Sequence, residues 1–238
     1  TAITHHGLVR DHNEDCLGWD GWALNGENTR PISMDLNVTR PVIVVVCDGM
    51  GGHAGGETAS RLATTLLTDP AAIEDPTEDT MRALLQHTAD TINATAEQQP
   101  ARGGRGGTVG GGVLYPDGNA LIFNVGDSRC YRAEGRYLAQ LSNDHRIPDS
   151  GALTQALGGG RRMILAPDFF TCPLPSDPGL ILSTDGLDDY ADFADVEARV
   201  LQAGPDLIPD LCDLALAGGG GDNITILQVA SIEGDTGG

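Results

Sequence analysis

The strongest constraint on the fold is an apolar run, VIVVVC at 42–47, which is followed at once by the glycine-rich segment DGMGGHAGGE at 48–57. Five of the six residues in the run are β-branched, and a short continuous run of this kind predicts a buried strand. The glycines let the chain turn sharply where the strand ends. We therefore predict a buried strand that leads directly into a loop carrying Asp48.

Helical and strand-like segments occur in separate blocks along the chain. Apolar residues at helical spacing predict helices at 57–67 and 77–96, closed by Asp69-Pro70 and by Pro100, and two more at 196–202 and 207–217. Short apolar segments bounded by turn residues predict strands at 108–115, 120–125, 129–133, 136–141, 180–183 and 224–229. Blocks of strands and helices favour a layered α+β fold over a doubly wound parallel sheet.

Composition and charge exclude several classes of protein. The 238 residues are 40% hydrophobic, which is enough for one sizeable core. The net charge is −20, with no cluster of Lys and Arg, so we expect no nucleic-acid binding. No apolar run approaches the roughly 20 residues that cross a bilayer, and the start lacks the pattern of a signal peptide. We expect a cytoplasmic protein that is not inserted in a membrane.

The cysteines support the same compartment. They show no metal-ligand spacing, and their number is odd, which favours reduced, buried thiols over disulfides or a zinc site. The five residues are Cys16, Cys47, Cys130, Cys172 and Cys212.

Three aspartates stand at the ends of apolar strands beside Gly or Asn: Asp48 in VCDGMGG, Asp185 in LSTDGL and Asp222 in GGDNITIL. A strand end holds a carboxylate rigidly, and several such oxygens suit hard cations such as Mg²⁺ and Mn²⁺. For any single Asp-Gly pair the alternative is an ordinary tight turn. Three similar sites together favour a metal centre.

Two further charged segments could also form part of a binding site. The first, GLVRDHNED at 7–15, combines Arg10 with Glu14 and Asp15, and a guanidinium can bind phosphate through two hydrogen bonds. The alternative for this segment is a solvated charged loop. The second, NVGDSR at 124–129, places Asp127 directly after a predicted strand.

Taken in order, these motifs resemble those of the bacterial type 2C (PPM-type) metal-dependent protein phosphatases. The set comprises GLVRDHNED, DGMGGHAGGE, GGT (106–108), NVGDSR, DH (144–145), LTQALG (153–158), STDGL (183–187) and GDNIT (221–225). The resemblance implies a four-layer α-β-β-α sandwich with two central antiparallel sheets. It also implies a single catalytic domain over residues 1–238.

The resemblance further implies a role for each charged residue. Asp48 would bridge two Mg²⁺ or Mn²⁺ ions, with the Gly49 carbonyl and Glu14 on the second ion and with Asp185 and Asp222 on the first. Asp15 and Asn223 would support these ligands from behind. Arg10 would bind the substrate phosphate and act in catalysis with Asp48 and Asp185, and Asp127 would help to hold a third, weaker cation.

Two departures from the family pattern affect what can be expected. Some members carry a His after the first Asp-Gly, as a proton donor to the leaving group, whereas this chain has Met50; His53 or a metal-bound water would have to replace it. The flap segment that usually follows the DH motif is reduced to residues 146–152, which predicts an open cleft on that side.

The sequence thus predicts a monomeric enzyme that hydrolyses phosphoserine and phosphothreonine in the protein substrates of a Ser/Thr kinase, by attack of a metal-activated water. Two cations would be bound tightly and a third weakly. One alternative is a phosphatase-like binding module with weak or no activity. Another is a metal-dependent hydrolase of nucleotides or nucleic acid, which conflicts with the acidic charge.

Overall fold

The computed structural model describes residues 1–28, 30–52, 54–98, 105–148, 150–160 and 162–232. The strands are β1 (Ala2–His5), β2 (Cys16–Trp19), β3 (Trp22–Asn25), β4 (Val42–Cys47), β5 (Gly49–Met50), β6 (Gly106–Gly107), β7 (Val109–Leu114), β8 (Asn119–Val125), β9 (Arg129–Glu134), β10 (Tyr137–Gln140), β11 (Leu157–Gly158), β12 (Asp168–Pro173), β13 (Leu180–Ser183) and β14 (Ile224–Val229). The helices are α1 (Ala54–Thr68), α2 (Glu78–Gln98), α3 (Asp185–Asp188), α4 (Phe193–Gln202) and α5 (Leu207–Ala217).

Two large antiparallel sheets form the centre of the molecule. The strand order is β12-β8-β7-β4-β2-β3 in the six-stranded sheet and β1-β14-β13-β9-β10 in the five-stranded sheet. A small third sheet of two-residue strands has the order β11-β6-β5. The sequence analysis predicted an α+β sandwich with two antiparallel sheets, and this prediction is confirmed.

Strand β4 shows why the layers form as they do. Its side chains alternate between two buried clusters, because successive residues of a strand point to opposite faces. Ile43, Val45 and Cys47 pack with α1 and α2 on one face, whereas Val42, Val44 and Val46 pack between the two large sheets. Both faces are apolar, so this strand can lie only in the centre of the sandwich.

The second helical layer covers the outer face of the five-stranded sheet. Val200 of α4 and Leu211 of α5 are buried with Ile181 of β13 and Ile226 of β14. The Asp192 side chain accepts a hydrogen bond of 2.8 Å from the Ala194 amide and thereby caps the start of α4. The order of layers is therefore helix, sheet, sheet, helix.

Glycines in β7 allow the six-stranded sheet to pack closely. A methyl group on Gly111 would lie 2.4 Å from Cζ of Phe123 and 2.9 Å from the Val44 carbonyl oxygen. The Phe123 ring thus occupies the space above the β7 backbone. The sequence run VGGGVL is consequently a buried central strand rather than a flexible loop.

All five cysteines are buried and free, as the sequence analysis predicted. Burial raises the pKa of Cys16 to about 11 and that of Cys212 to about 12, so that these thiols stay protonated near neutral pH. Among the residues that the structure describes, the helices include none with the length and apolar character of a membrane span.

Candidate metal and phosphate site

Four aspartates meet at one end of the sandwich because each lies at the end of a central strand. Asp15 precedes β2 and Asp48 follows β4, and these strands are neighbours in the six-stranded sheet. Asp185 follows β13 and Asp222 precedes β14, and these strands are neighbours in the other sheet. The two sheets therefore each contribute two carboxylates to the same acidic cleft.

Hydrogen bonds fix Asp15 across the two sheets. The Thr184 hydroxyl donates to Asp15 Oδ2 over 2.8 Å, and the Thr225 amide donates to the same hydroxyl over 3.0 Å. Asp15 Oδ1 is buried and accepts no hydrogen bond from any residue that the structure describes. A buried carboxylate oxygen without a donor is costly, so this atom suits a cation or its bound water.

Burial first, and the neighbouring carboxylates second, disfavour the ionised forms of these aspartates. Burial raises the pKa of Asp15 to about 7, and the charges of Asp185 and Asp222 add to the rise against hydrogen bonds from threonines. Burial and then the charges of Asp15, Asp222 and Asp127 raise the pKa of Asp48 well above its ordinary value. The pKa of Asp185 rises well above its ordinary value for the same reasons, burial first and then the nearby aspartates.

This electrostatic state fits divalent cations. Carboxylates that repel one another become stable as anions when a cation lies between them, and oxygen-rich donor sets suit Mg²⁺ and Mn²⁺. The ligand atoms of Asp48, Asp185 and Asp222 do not all lie within 4.8 Å of one another. A cation bound by all three would have to draw these ligand atoms closer together.

A different trio of ligand-type side chains is more compact. His5, His6 and Glu27 have donor atoms within 4.8 Å of one another. However, His5 Nδ1 accepts a hydrogen bond of 2.8 Å from the Gly7 amide, which leaves the proton of the neutral ring on Nε2, the atom that faces Glu27. In this arrangement Nε2 has no lone pair to offer a metal.

Glu14 and the Gly49 carbonyl face a common small space. A methyl group on Gly56 would lie 1.9 Å from Glu14 Oε2 and 2.6 Å from the Gly49 carbonyl oxygen. The absence of a side chain at Gly56 therefore makes room for both oxygens at the start of α1. These are the two groups that the sequence analysis assigned to the second cation.

Asn223 holds the segment that carries Glu14 against Asp222. Its Oδ1 accepts a hydrogen bond of 2.8 Å from the Glu14 amide, and its Nδ2 donates to the carbonyls of His6 and His12 over 3.1 Å and 3.0 Å. The Asn223 amide donates to Asp222 Oδ1 over 2.8 Å. Asn223 thus links two predicted ligands, Glu14 through its side chain and Asp222 through its backbone amide.

Arg10 lies at the mouth of the cleft, with half of its side chain exposed. Its Nη2 donates to Asp222 Oδ2 over 2.6 Å. Partial burial lowers the pKa of Arg10, but the charges of Asp222, Glu14 and Asp48 outweigh this effect and keep the pKa above its ordinary value. The guanidinium is therefore charged and beside the acidic cluster, within the region where a phosphate would bind.

Asp127 follows β8 and is buried near the cluster, where its charge raises the pKa of Asp48 and Asp185. Burial also raises the pKa of Asp127, against the opposing charge of Arg146. Arg146 Nη1 lies 3.4 Å from Asp127 Oδ2. The sequence analysis did not identify Arg146, although it directly follows the DH motif at the start of the shortened segment.

Residues 146–152 are short and closely bonded. Arg146 forms an isolated antiparallel bridge with Leu153, and the Ile147 amide donates to the Ala152 carbonyl over 2.9 Å. The Gly151 amide donates to the Ile147 carbonyl, also over 2.9 Å. The described part of this segment is consequently a tight turn.

For the proton donor the sequence analysis offered only His53 or a metal-bound water, and the described residues of the structure do not identify one. Met50 lies in β5, paired with Gly106, and has no acidic proton. His53 lies outside the described residues. His12, which the sequence analysis passed over, has its Nε2 at 2.8 Å from Glu14 Oε1, and its place two residues before Glu14 was the available signal.

Comparisons with known proteins identify the family to which the chain belongs. The family described as Protein phosphatase 2C matches residues 32–209. The serine/threonine phosphatase stp of Listeria monocytogenes is 29% identical over 95% of this chain and 93% of its own length. The protein phosphatase PhpP of Streptococcus pneumoniae is 28% identical over 84% of this chain and 90% of its own length. A crystal structure of a serine/threonine phosphatase from Staphylococcus aureus superposes with a TM-score of 0.79 at 26% identity, covering 98% of this chain and 94% of that one.

Proposed function

Since the chain belongs to the protein phosphatase 2C family and is a protein serine/threonine phosphatase, we propose that two divalent cations, Mg²⁺ or Mn²⁺, bind in its acidic cleft. One ion would be held by Asp48, Asp185 and Asp222. The other would be held by Asp48, Glu14 and the Gly49 carbonyl. The observation that carries this proposal is the cluster of aspartates whose ionisation is mutually unfavourable without added positive charge.

Bound cations of this kind lower the pKa of a shared water and offset charge on the phosphoryl oxygens. The protein itself holds the ligand residues in position. Asp15 is fixed by Thr184 across the two sheets, and Asn223 fixes the backbone of Glu14. Such support behind the ligands orients them and excludes other arrangements.

Arg10 would bind the substrate phosphate. Its guanidinium is exposed enough to reach a ligand, and it already contacts a carboxylate of the site, Asp222. A phosphate dianion offers the same paired acceptor geometry as a carboxylate. When a cation binds Asp222, the guanidinium would be free to pair with the phosphate instead.

The substrates are phosphoproteins, and we propose that they are targets of a Ser/Thr kinase. We also propose that residues 1–238 act as one catalytic domain and as a monomer. Five buried free thiols support a reducing compartment such as the cytoplasm. Because the predicted ligands are all present, the enzyme is favoured over an inactive binding module.

The test is phosphate release from a phosphothreonine peptide, measured with Mn²⁺, with Mg²⁺ and with a chelator. We expect release with either cation and none with the chelator, and far less release from a nucleotide supplied at the same concentration. Hydrolysis of the nucleotide in preference to the peptide would contradict the proposed substrate class. Release that continues in the chelator would contradict the role of the cations.

A further inference from the structure

The Arg146 guanidinium lies among three carboxylates at the edge of the cleft. Its Nη1 is 3.4 Å from Asp127 Oδ2, its Nη2 is 3.3 Å from Asp189 Oδ1, and its Nε is 3.6 Å from Asp144 Oδ2. Only about a quarter of the Arg146 side chain is exposed, and the Asp127 side chain is almost fully buried. One guanidinium group thus lies within 4 Å of three carboxylates.

The backbone around Arg146 is tied to the loop that carries Asp127. The His145 amide donates to the Gly126 carbonyl over 2.9 Å, and the Gly126 amide donates back to His145 Nδ1 over 3.1 Å. On the other side, Arg146 forms the bridge to Leu153. These bonds hold the start of the arginine side chain beside Asp127, so little conformational freedom remains to be lost when the two groups pair.

The guanidinium supplies the positive charge that this position needs. The Asp127 side chain is almost fully buried, and the Arg146 guanidinium lies 3.4 Å from its Oδ2. Because an arginine keeps its proton at any physiological pH, this charge is permanent. It does not depend on the concentration of any ion in solution.

The same contacts disfavour a third cation beside Asp127. A divalent ion there would have to displace the guanidinium or bear its repulsion, and Mg²⁺ also needs space for several waters. The position beside Asp127 is therefore already occupied by a positive group from within the chain. In this respect the structure disagrees with the weak third site that the family resemblance implied.

We infer that Arg146 takes the place of a third metal ion, so that this phosphatase binds two divalent cations and not three. The inference rests on the two-cation site proposed above. It assigns Arg146 a positioning role, which is to hold the Asp127 side chain in place beside the metal centre without contacting the reacting phosphate.

The test is the number of Mn²⁺ ions bound per chain, measured by equilibrium dialysis and by the electron paramagnetic resonance signal of free Mn²⁺. We expect two ions in the parent and two in Asp127→Asn. Arg146→Ala should bind a third ion weakly, and adding Asp127→Asn to that variant should abolish the gain. Arg146→Lys, which keeps a positive charge, should stay at two.

Arg162→Ala is the matched control, because Arg162 pairs with Glu97 at an exposed site on α2 and should not change the count. Three ions in the parent, with one lost in Asp127→Asn, would overturn the inference while leaving the proposed function intact. A count that stays at two in Arg146→Ala, with circular dichroism showing a folded protein, would overturn it as well. Fewer than two ions in the parent would contradict the two-cation site itself.

Discussion

Replacing Gly56 with alanine should damage the metal centre without unfolding the protein. The new methyl group would lie 1.9 Å from Glu14 Oε2, whereas real contacts of this kind are no shorter than 3.0 Å. The carboxylate would therefore have to move by about 1 Å. A displacement of about 1 Å in an active site can reduce the rate by about 100-fold, and we expect a loss of that order in kcat/KM at low Mn²⁺.

Gly56→Ala should be less stable than the parent but still folded, because the methyl group also lies 2.6 Å from the Gly49 carbonyl oxygen and the helix preference of alanine over glycine, about 0.5–1 kcal/mol, offsets only part of this crowding. The assay is phosphate release across a Mn²⁺ titration, with thermal unfolding measured in parallel. Gly112→Ala is the control, since the nearest neighbour of its methyl group would be Ile122 Cδ1 at 3.3 Å, within the sheet. Activity of Gly56→Ala within threefold of the parent at every Mn²⁺ concentration would refute the assignment of Glu14.

Three other predictions follow from the site. The pKa of Asp15 is about 7 in the folded protein and 3.8 ordinarily, so in chelator the folded state binds a proton that the unfolded state releases. The free energy of unfolding should therefore fall between pH 4 and pH 7, on the order of 4 kcal/mol for this group, and Mn²⁺ should restore it at pH 8. A melting temperature that rises with pH in chelator would contradict this. Arg10→Ala should raise KM more than it lowers kcat, because a phosphate contact is present before and during reaction, and the reverse pattern in steady-state kinetics would assign Arg10 to the transition state. The described part of 146–152 is a tight turn, so we expect few remote contacts to a substrate and a similar kcat/KM across a panel of phosphopeptides and small aryl phosphates; strong discrimination among peptides would show that another segment shapes the cleft.

Local sequence patterns were sufficient for the central elements. The strand at 42–47 and the helix at 207–217 occur with the predicted bounds, because the first is apolar on both faces and the second has a long apolar stripe. Strands β1, β2, β3 and β12 were not predicted. They are short, and β2 contains a glycine while β12 is largely exposed and ends in proline, so no local pattern distinguishes them from loops.

The site residues could be predicted from the sequence where they lie at the ends of apolar strands. Asp48, Asp185 and Asp222 could be selected because each adjoins an apolar strand, and the structure brings them to one end of the sandwich. The Arg146–Asp127 pair could not be selected, because nothing in the local sequence of either residue specifies the other. It depends on the hydrogen bonds between Gly126 and His145, which form only in the assembled fold.

The most direct test of the two-cation site is the activity of Asp48→Asn, because Asp48 is the ligand assigned to both ions. The measurement is phosphate release from a phosphothreonine peptide at saturating Mn²⁺, beside Asp117→Asn, which changes an exposed turn aspartate in the same way. We expect activity to be lost in Asp48→Asn and kept in Asp117→Asn, with both proteins folded by circular dichroism. Hydrolysis by Asp48→Asn at close to the parent rate would contradict the metal site proposed for this phosphatase.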